Sequence, residues 1–368
     1  MKTNITFLTV SLLILFSHSA CQKTNDNYNI LTTYSYDNVS YSSQTVRIKM
    51  IEELVSYAES VNTAPSSPLS ATVLINMYTN SDAPFSDPDL NSSGKELKSK
   101  VAVPFQSEFE QYMNALETTS LSANQTAMRN QAGLSTSNSG AQTFLLNENG
   151  VELSQIIEKG LAAACLYYQS TVVYLGETKM NVDNRSLTAG RGTNMEHHWD
   201  EAFGYFGAPV DFPSNIFNLS IWAGASNKIN SILGCNSRIM NAFLKGRAAI
   251  SAQDYDARDE ARETIKEEWE LVLAAVAISY LNDAKEEAND PALFYHNLTE
   301  AYAFILGLKS GPSKIILDTD IDLILTMLAG SSNPLEANFY TTTTQDINNT
   351  IDAISSTYTS LEDVKANL

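Results

Sequence analysis

Positive charge is in short supply in this chain of 368 residues: 23 Lys and Arg stand against 42 Asp and Glu, a formal net charge of -19. Phosphate backbones are gripped by lysine and arginine, and no basic stripe occurs anywhere, so a nucleic-acid partner is excluded. The same deficit argues against electrostatic docking on an anionic membrane face. Cysteine is scarce too, with three in all. Cys165 and Cys235 sit in apolar helical contexts and read as small buried hydrophobes; they could form one bridge but no disulfide framework. Proline numbers only 10, and period-two alternation is almost absent, which leaves little room for β-structure. Apolar material is not lacking: 43% of residues are hydrophobic, enough for a real core and against a wholly disordered chain.

The N-terminus indicates the compartment. Lys2 is followed by the apolar stretch Ile5 to Phe16 and then Ser17-His18-Ser19-Ala20-Cys21. A short basic start, an apolar run too brief to span a bilayer and a small-residue cleavage site make a secretory signal peptide over 1–20. Ser19-Ala20-Cys21 resembles a bacterial lipobox, in which Cys21 becomes the lipidated first residue of the mature chain. His18 stands where an aliphatic residue is usual, so ordinary cleavage is the alternative. Residues 21–45, rich in Asn, Thr, Ser and Tyr, read as a lipid-anchored tether and polar segment. No other stretch approaches a membrane span.

From residue 46 to 368 the periodicity is helical. Helices are expected over 47–60, 69–78 and 105–120, with a loop at 81–93 and a small strand or extended link at 143–146. Leu153, Ile157, Leu161, Ala164, Tyr168, Val172 and Leu175 fall one turn apart and predict a long buried helix. Thr193-x-x-Glu196 is a capping box, so a helix should begin at Asn194 and run to Phe206, stopped by Gly207 and Pro209. Further helices are expected over 229–249, 255–288, 291–309, 314–328 and 344–367. Asp290-Pro291 is a strong start signal for the third of these. The fold class is all-α, helix bundles, with two packed four-helix-like bundles as the expected form and a sub-bundle boundary near 208–215.

The chain holds four histidines, and His18 leaves with the signal peptide. His197 and His198 lie in Met195-Glu196-His197-His198-Trp199-Asp200-Glu201. Residues three and four apart share a helix face, so Glu201 falls beside both histidines and Asp200 beside His197. Imidazole nitrogen next to carboxylate oxygen is a metal-ligand pair of the kind found in helical bundles. The same spacing also fits a hydrogen-bonded pair at a helix start, where acids favour the dipole. His296 and Glu300 form a second pair at i, i+4, or else a surface pair. Since one helix cannot surround an ion, the expected metal ligands are His198, Glu201, His296 and Glu300, with His197 and Asp200 fixing the imidazoles from behind. Mixed nitrogen and oxygen ligation suits iron or zinc. His-Glu-x-x-His, His-x-x-Glu-His, Gly-x-Ser-x-Gly and the phosphate loop are all missing, so no catalytic residue is assigned.

The run Glu196-His197-His198-Trp199-Asp200-Glu201-Ala202-Phe203-Gly204-Tyr205-Phe206-Gly207 resembles an uncharacterised family of bacterial envelope lipoproteins, the domain of unknown function 4856. The resemblance extends through Tyr36, Val39, Tyr41, Gln44 and Arg47; Asp89-Leu90-Asn91 and Gly94-Lys95; Asn149-Gly150-x-Glu152; Glu158-Lys159-Gly160; Gly246-Arg247-Ala248; and His296-x-Leu298-x-Glu300. That family is distantly similar to the imelysin-like proteins, envelope proteins tied to iron uptake and marked by Gly-x-His-x-x-Glu in a fold of two helical bundles. Here His198 and Glu201 supply His-x-x-Glu, while Glu196 stands in place of the glycine. The resemblance implies an outer-membrane lipoprotein that binds a metal ion or an iron-bearing ligand in metal acquisition. Two other readings stay open: a non-enzymatic module docking to an outer-membrane uptake partner, and a metallopeptidase with Glu201 or Asp200 as base.

Overall fold

The computed structural model describes residues 28–312 and 315–368. The expected signal peptide over 1–20, the expected lipidation site Cys21, and Lys314, the expected first residue of the penultimate helix, lie outside the described residues. Among the described residues the chain is all-α apart from one small hairpin.

In the first third, α1 (Ser42–Glu59), α2 (Ala71–Thr79), α3 (Pro88–Ser92) and α4 (Gln106–Ser120) follow one another. The short α3 breaks the expected loop. Asp87 accepts the Asp89 amide at 2.9 Å, and Pro88 takes the first turn, where its missing N–H costs nothing. β1 (Gly133–Thr136) pairs antiparallel with β2 (Thr143–Leu146), Gly133 opposite Leu146 and Thr136 opposite Thr143. The expected strand is thus real, and its partner hides in a polar run.

The long helix expected over 151–175 starts as α5 (Leu153–Leu161) and then widens into two π-helical segments, Ala162–Tyr167 and Gln169–Tyr174. A π turn takes an extra residue, so the buried face drifts away from 3.6 spacing. Tyr168 and Val172, expected inside, are half-buried, while Gln169, Ser170 and Thr171 turn inward. Each of these polar residues is satisfied there: Gln169 Nε2 donates to the Lys100 carbonyl at 2.8 Å, Ser170 Oγ to Ala202 at 3.0 Å and Thr171 Oγ1 to Tyr167 at 2.8 Å.

A single turn, α6 (Glu177–Met180), leads into the loop before α7 (Asn194–Phe206). The capping box is present: Thr193 Oγ1 accepts the Glu196 amide at 3.1 Å and Glu196 Oε2 accepts the Thr193 amide at 2.9 Å. Gly207 ends the helix with φ +69. The single helix expected over 229–249 is instead two, α8 (Ile221–Leu233) and α9 (Cys235–Ala252), parted by Gly234 at φ +64. A left-handed residue cannot continue an α-helix, and glycine takes that conformation without a Cβ penalty.

α10 (Tyr255–Glu286) is the 32-residue axis of the molecule, packed against α8, α9 and α11 (Pro291–Gly307). Its expected inner face, Ala261, Ile265, Trp269, Val272, Val276 and Ser279, is buried throughout. α12 (Asp318–Ala329) and α13 (Thr344–Thr357) close the chain; α13 stops ten residues before the expected end, in a 3₁₀ turn over Thr359–Leu361. Buried apolar side chains from Tyr34 to Leu361 form one continuous cluster. The stretch before α1 joins it: the Tyr34 ring stacks on Phe203 at 3.8 Å, so the polar segment is body rather than tether from there on. Among the described residues no helix is long and apolar enough to cross a membrane. Cys165 and Cys235 are both buried and free, without a bridge.

Candidate functional site

α7 carries two polar faces with different partners. On one, Glu196 and Asp200 turn to the buried guanidinium of Arg247 on α9: Nε reaches Asp200 Oδ1 at 2.9 Å and Nη1 reaches Glu196 Oε1 at 2.7 Å. Tyr34 donates to the same Asp200 oxygen at 2.8 Å, and Ser251 donates to Glu196 at 2.6 Å. Burial pushes the Asp200 carboxyl up to about 6, with the Arg247 charge pulling the other way. Glu196 is held below its usual range, since the Ser251, Thr193 and Arg247 contacts outweigh its burial. Asp200 was expected to fix a histidine ring; it is spent on Arg247 and Tyr34 instead.

On the other face, His197 and His198 converge on Glu201. Glu201 Oε2 lies 3.2 Å from His198 Nδ1 and 3.7 Å from His197 Nε2. Its other oxygen accepts from Gln44 Nε2 at 3.0 Å, and the Tyr174 hydroxyl hydrogen-bonds to the same carboxylate. The three side chains keep 13–18% of their surface open to solvent. Burial raises the Glu201 carboxyl, but the His198 hydrogen bond, His197 and Gln44 together hold it below its usual range. Burial lowers His197, so its imidazole is neutral at pH 7. His197 also meets the backbone of Ser40, and Gln44 faces Tyr174 as well as Glu201.

The second expected pair belongs to another cluster. His296 Nδ1 lies 2.7 Å from Glu152 Oε2, its Nε2 lies 3.7 Å from Glu300 Oε1, and its ring stacks on Phe144 at 4.3 Å. Lys159 sits between Glu300 at 3.4 Å and Glu158 at 3.0 Å. Glu59 faces the same group and is pushed up to about 7 by burial and by the charges of Glu158 and Glu152. The first neighbours of His296 and those of His198 share no residue. Among the described residues no group of three or more His, Cys, Asp or Glu is spaced to hold a metal ion by itself. The structure therefore does not assemble His198, Glu201, His296 and Glu300 into one ligand set.

A family model described as a domain of unknown function (DUF4856) matches residues 32–359. The chain belongs to that family. No curated protein and no solved structure matches it. The residues that carry the family resemblance gather in these clusters although they are scattered in sequence. Gln44 touches Glu201, Tyr36 lies under Arg247 with its ring centroid 5.2 Å from the guanidinium carbon, Glu152 pairs with His296, and Lys159 joins Glu158 to Glu300 beside it. Sequence reasoning assigned no role to Gln44 or Tyr174. The widening of the helix over Gln169–Tyr174, which aims Tyr174, leaves no signal in the periodicity.

Proposed function

We propose that this protein is an envelope lipoprotein, tethered through lipid on Cys21, that binds a metal ion or an iron-bearing ligand through His198 and Glu201 for metal acquisition, without catalysing a reaction. The observation that carries the reading is the convergence of two imidazole nitrogens on one carboxylate oxygen, at 3.2 and 3.7 Å. Metal binding needs unprotonated donors, and here Glu201 is held low and His197 neutral. Such a donor set suits iron or zinc. Because no three His, Cys, Asp or Glu among the described residues are spaced to hold a metal ion, the reading requires that most coordination positions be filled by groups that arrive with the metal. The likeness to imelysin-like proteins, through His198-x-x-Glu201, supports the iron assignment and the envelope setting. His296 and Glu300 are reassigned to a separate, structural cluster.

The test is metal content by elemental analysis and calorimetry on a signal-less chain, wild type beside His198→Ala, Glu201→Gln and His296→Ala. Saturable iron or zinc binding in wild type, lost in the first two variants and kept in the third, is expected. No binding in wild type of ferrous, ferric or zinc ions, either free or as their citrate complexes, overturns the reading.

One observation favours the interaction-module reading instead. Val210, Ile216 and Phe217 are exposed, Phe217 to 78%. Phe217 lines a groove of about 460 Å³ between α1 and the end of α7, with Tyr41, Ile48 and Gly204. Exposed apolar side chains beside a groove mark contact surfaces. A chain free of metal would make this loop the functional one.

A further inference from the structure

Two stretches of the chain each expose three or more large apolar side chains. One is α12 with the residues just before it, where Ile315, Leu317, Leu323 and Met327 are open to solvent among Asp318, Asp320 and Asp322. The other is the loop after α7, with Val210, Ile216 and Phe217. This loop is nearly free of charge: from 208 to 220 Asp211 is the one charged residue, in a chain of which 18% is charged. The segment 28–36 carries no charged residue at all, and Ile30 is exposed on it.

The fold joins these two uncharged stretches, the Tyr34 amide donating to the Val210 carbonyl at 2.7 Å. The base of the loop is fixed. Phe212 is buried with its ring 5.9 Å from that of Phe206, its amide donates to the Pro209 carbonyl at 3.0 Å, and the Phe217 amide donates to Asn215 Oδ1 at 3.0 Å. Ile216 and Phe217 are thus held outward, and a contact there costs little further ordering. The segment is also where the chain leaves the body toward Cys21. Only residues 22–27 separate Cys21 from Tyr28, and a chain spans at most about 3.6 Å per residue, so Tyr28 lies within about 25 Å of a lipid on Cys21. A compact body of this length is about 50 Å across. Tyr28 is held on that body by its hydroxyl, which donates to Asp254 Oδ2 at 3.3 Å. The lipid therefore brings the face around 28–36 to the bilayer, and the opposite side stays out of reach. α12 packs instead on α11 and α13, and the aspartates among its exposed apolar residues would lie against lipid phosphates.

We propose that the face formed by residues 28–36 and the 208–220 loop docks on the zwitterionic headgroup layer of the bilayer that carries the Cys21 lipid, with Ile216 and Phe217 inserted at its apolar boundary. The inference rests on the lipid-anchor part of the reading above and is independent of the metal. Insertion of apolar side chains needs no positive charge, so the acid excess that argues against an anionic surface does not oppose it. A covalent lipid and a set of inserted side chains act as two membrane signals on one body, and each strengthens the hold of the other.

To test this, the mature chain is coupled through the Cys21 thiol to phosphatidylcholine vesicles bearing a maleimide lipid; Cys165 and Cys235 are buried and do not compete. Phe217→Trp and Leu323→Trp place a reporter on the loop and on α12, while the native Trp199, Trp222 and Trp269 are fully buried. Far-UV circular dichroism checks that both variants fold. With bromine on the lipid acyl chains, the Phe217→Trp reporter is expected to lose its emission, and on unbrominated vesicles to shift to the blue. The Leu323→Trp reporter should do neither. An unquenched reporter at 217 overturns the inference and leaves the loop to a protein contact. Equal quenching at 217 and 323 also overturns it, since the body then meets the bilayer in no fixed orientation. The anchor is tested separately by mass spectrometry of the protein exported by cells. A lipidated Cys21 with an unquenched reporter at 217 leaves the anchor standing without the docking face; an unmodified Cys21 removes the anchor reading, and the inference with it.

Discussion

Replacing Arg247 by methionine would remove a guanidinium that holds two carboxylates while preserving much of its volume. Asp200 is fully buried and Arg247 has 2% of its side chain exposed. Without the cation, Asp200 keeps only the Tyr34 hydrogen bond, and Asp200 Oδ2 has no partner even now. Breaking a buried ion pair from one side costs about 3–5 kcal/mol, because the remaining charge stays desolvated. Asp200 already titrates at about 6 with Arg247 in place, so its loss raises that value further. A carboxyl whose folded pKa lies above its unfolded one binds more protons when folded, and stability then falls as pH rises. The Arg247→Met penalty should therefore be larger at pH 8 than at pH 5. Urea unfolding followed by circular dichroism at both pH values measures it. The Asp200→Asn/Arg247→Met double variant should recover about 1–2 kcal/mol at pH 8, since the two residues are in direct contact. A single variant within about 1 kcal/mol of wild type at pH 8, or one equally destabilised at both pH values, would refute the argument.

Gly246→Ala places a Cβ inside the Trp199 ring and should cost about 2–3 kcal/mol in chemical denaturation; Gly224→Ala, with open space around it on α8, should instead gain roughly 0.5–1 kcal/mol. Glu59, raised to about 7 by burial and by Glu158 and Glu152, makes stability fall as pH climbs from about 5 to 7. His296, raised through its Glu152 contact against its own burial, extends that fall above pH 6.5. Glu59→Gln should flatten the lower part of the profile by about 1–2 kcal/mol after allowance for solvent screening, read from melts across the range; an unchanged slope would count against the cluster. Burial pushes the Cys165 thiol up to about 12 and raises Cys235, so a thiol reagent at pH 8 should titrate neither until urea unfolds the chain.

The helices were legible where their signals are local. The Thr193–Glu196 box, Asp290-Pro291 and the apolar face of α10 each declare themselves within a few residues, and each element starts within about a residue of its expected place. What periodicity could not convey was a change of helical pitch. The π segments at 162–174 keep the apolar composition of an α-helix but rotate its face, so Tyr168 and Val172 were placed inside. Gly234 was equally silent: a glycine in an apolar helical run reads the same whether it is tolerated or ends the helix. For the site, spacing correctly put His197, His198 and Glu201 together, because i+3 and i+4 neighbours follow from helix geometry alone. The His296–Glu300 pair followed in the same way, but Arg247 beside Asp200 and Glu152 beside His296 did not. They lie 47 and 144 residues away in sequence, in contacts set by tertiary packing.

α7 shows why the histidine motif reads so densely. A helix turning every 3.6 residues gives Glu196 and Asp200 one face and His197, His198 and Glu201 the next. The first face locks α7 to α9 through Arg247, and Trp199 reinforces it by donating to the Phe243 carbonyl at 3.0 Å. The second face is thereby held in a fixed orientation toward Tyr174 and Gln44, which supplies the rigidity that a pair of imidazoles needs to share one carboxylate oxygen. A variant that loosens the Arg247 lock should therefore weaken metal binding without touching a ligand. Because Arg247→Met also lowers stability, its binding is to be measured at a temperature where it is fully folded. A folded Arg247→Met protein that binds iron as tightly as wild type would mean that the two faces of α7 act independently.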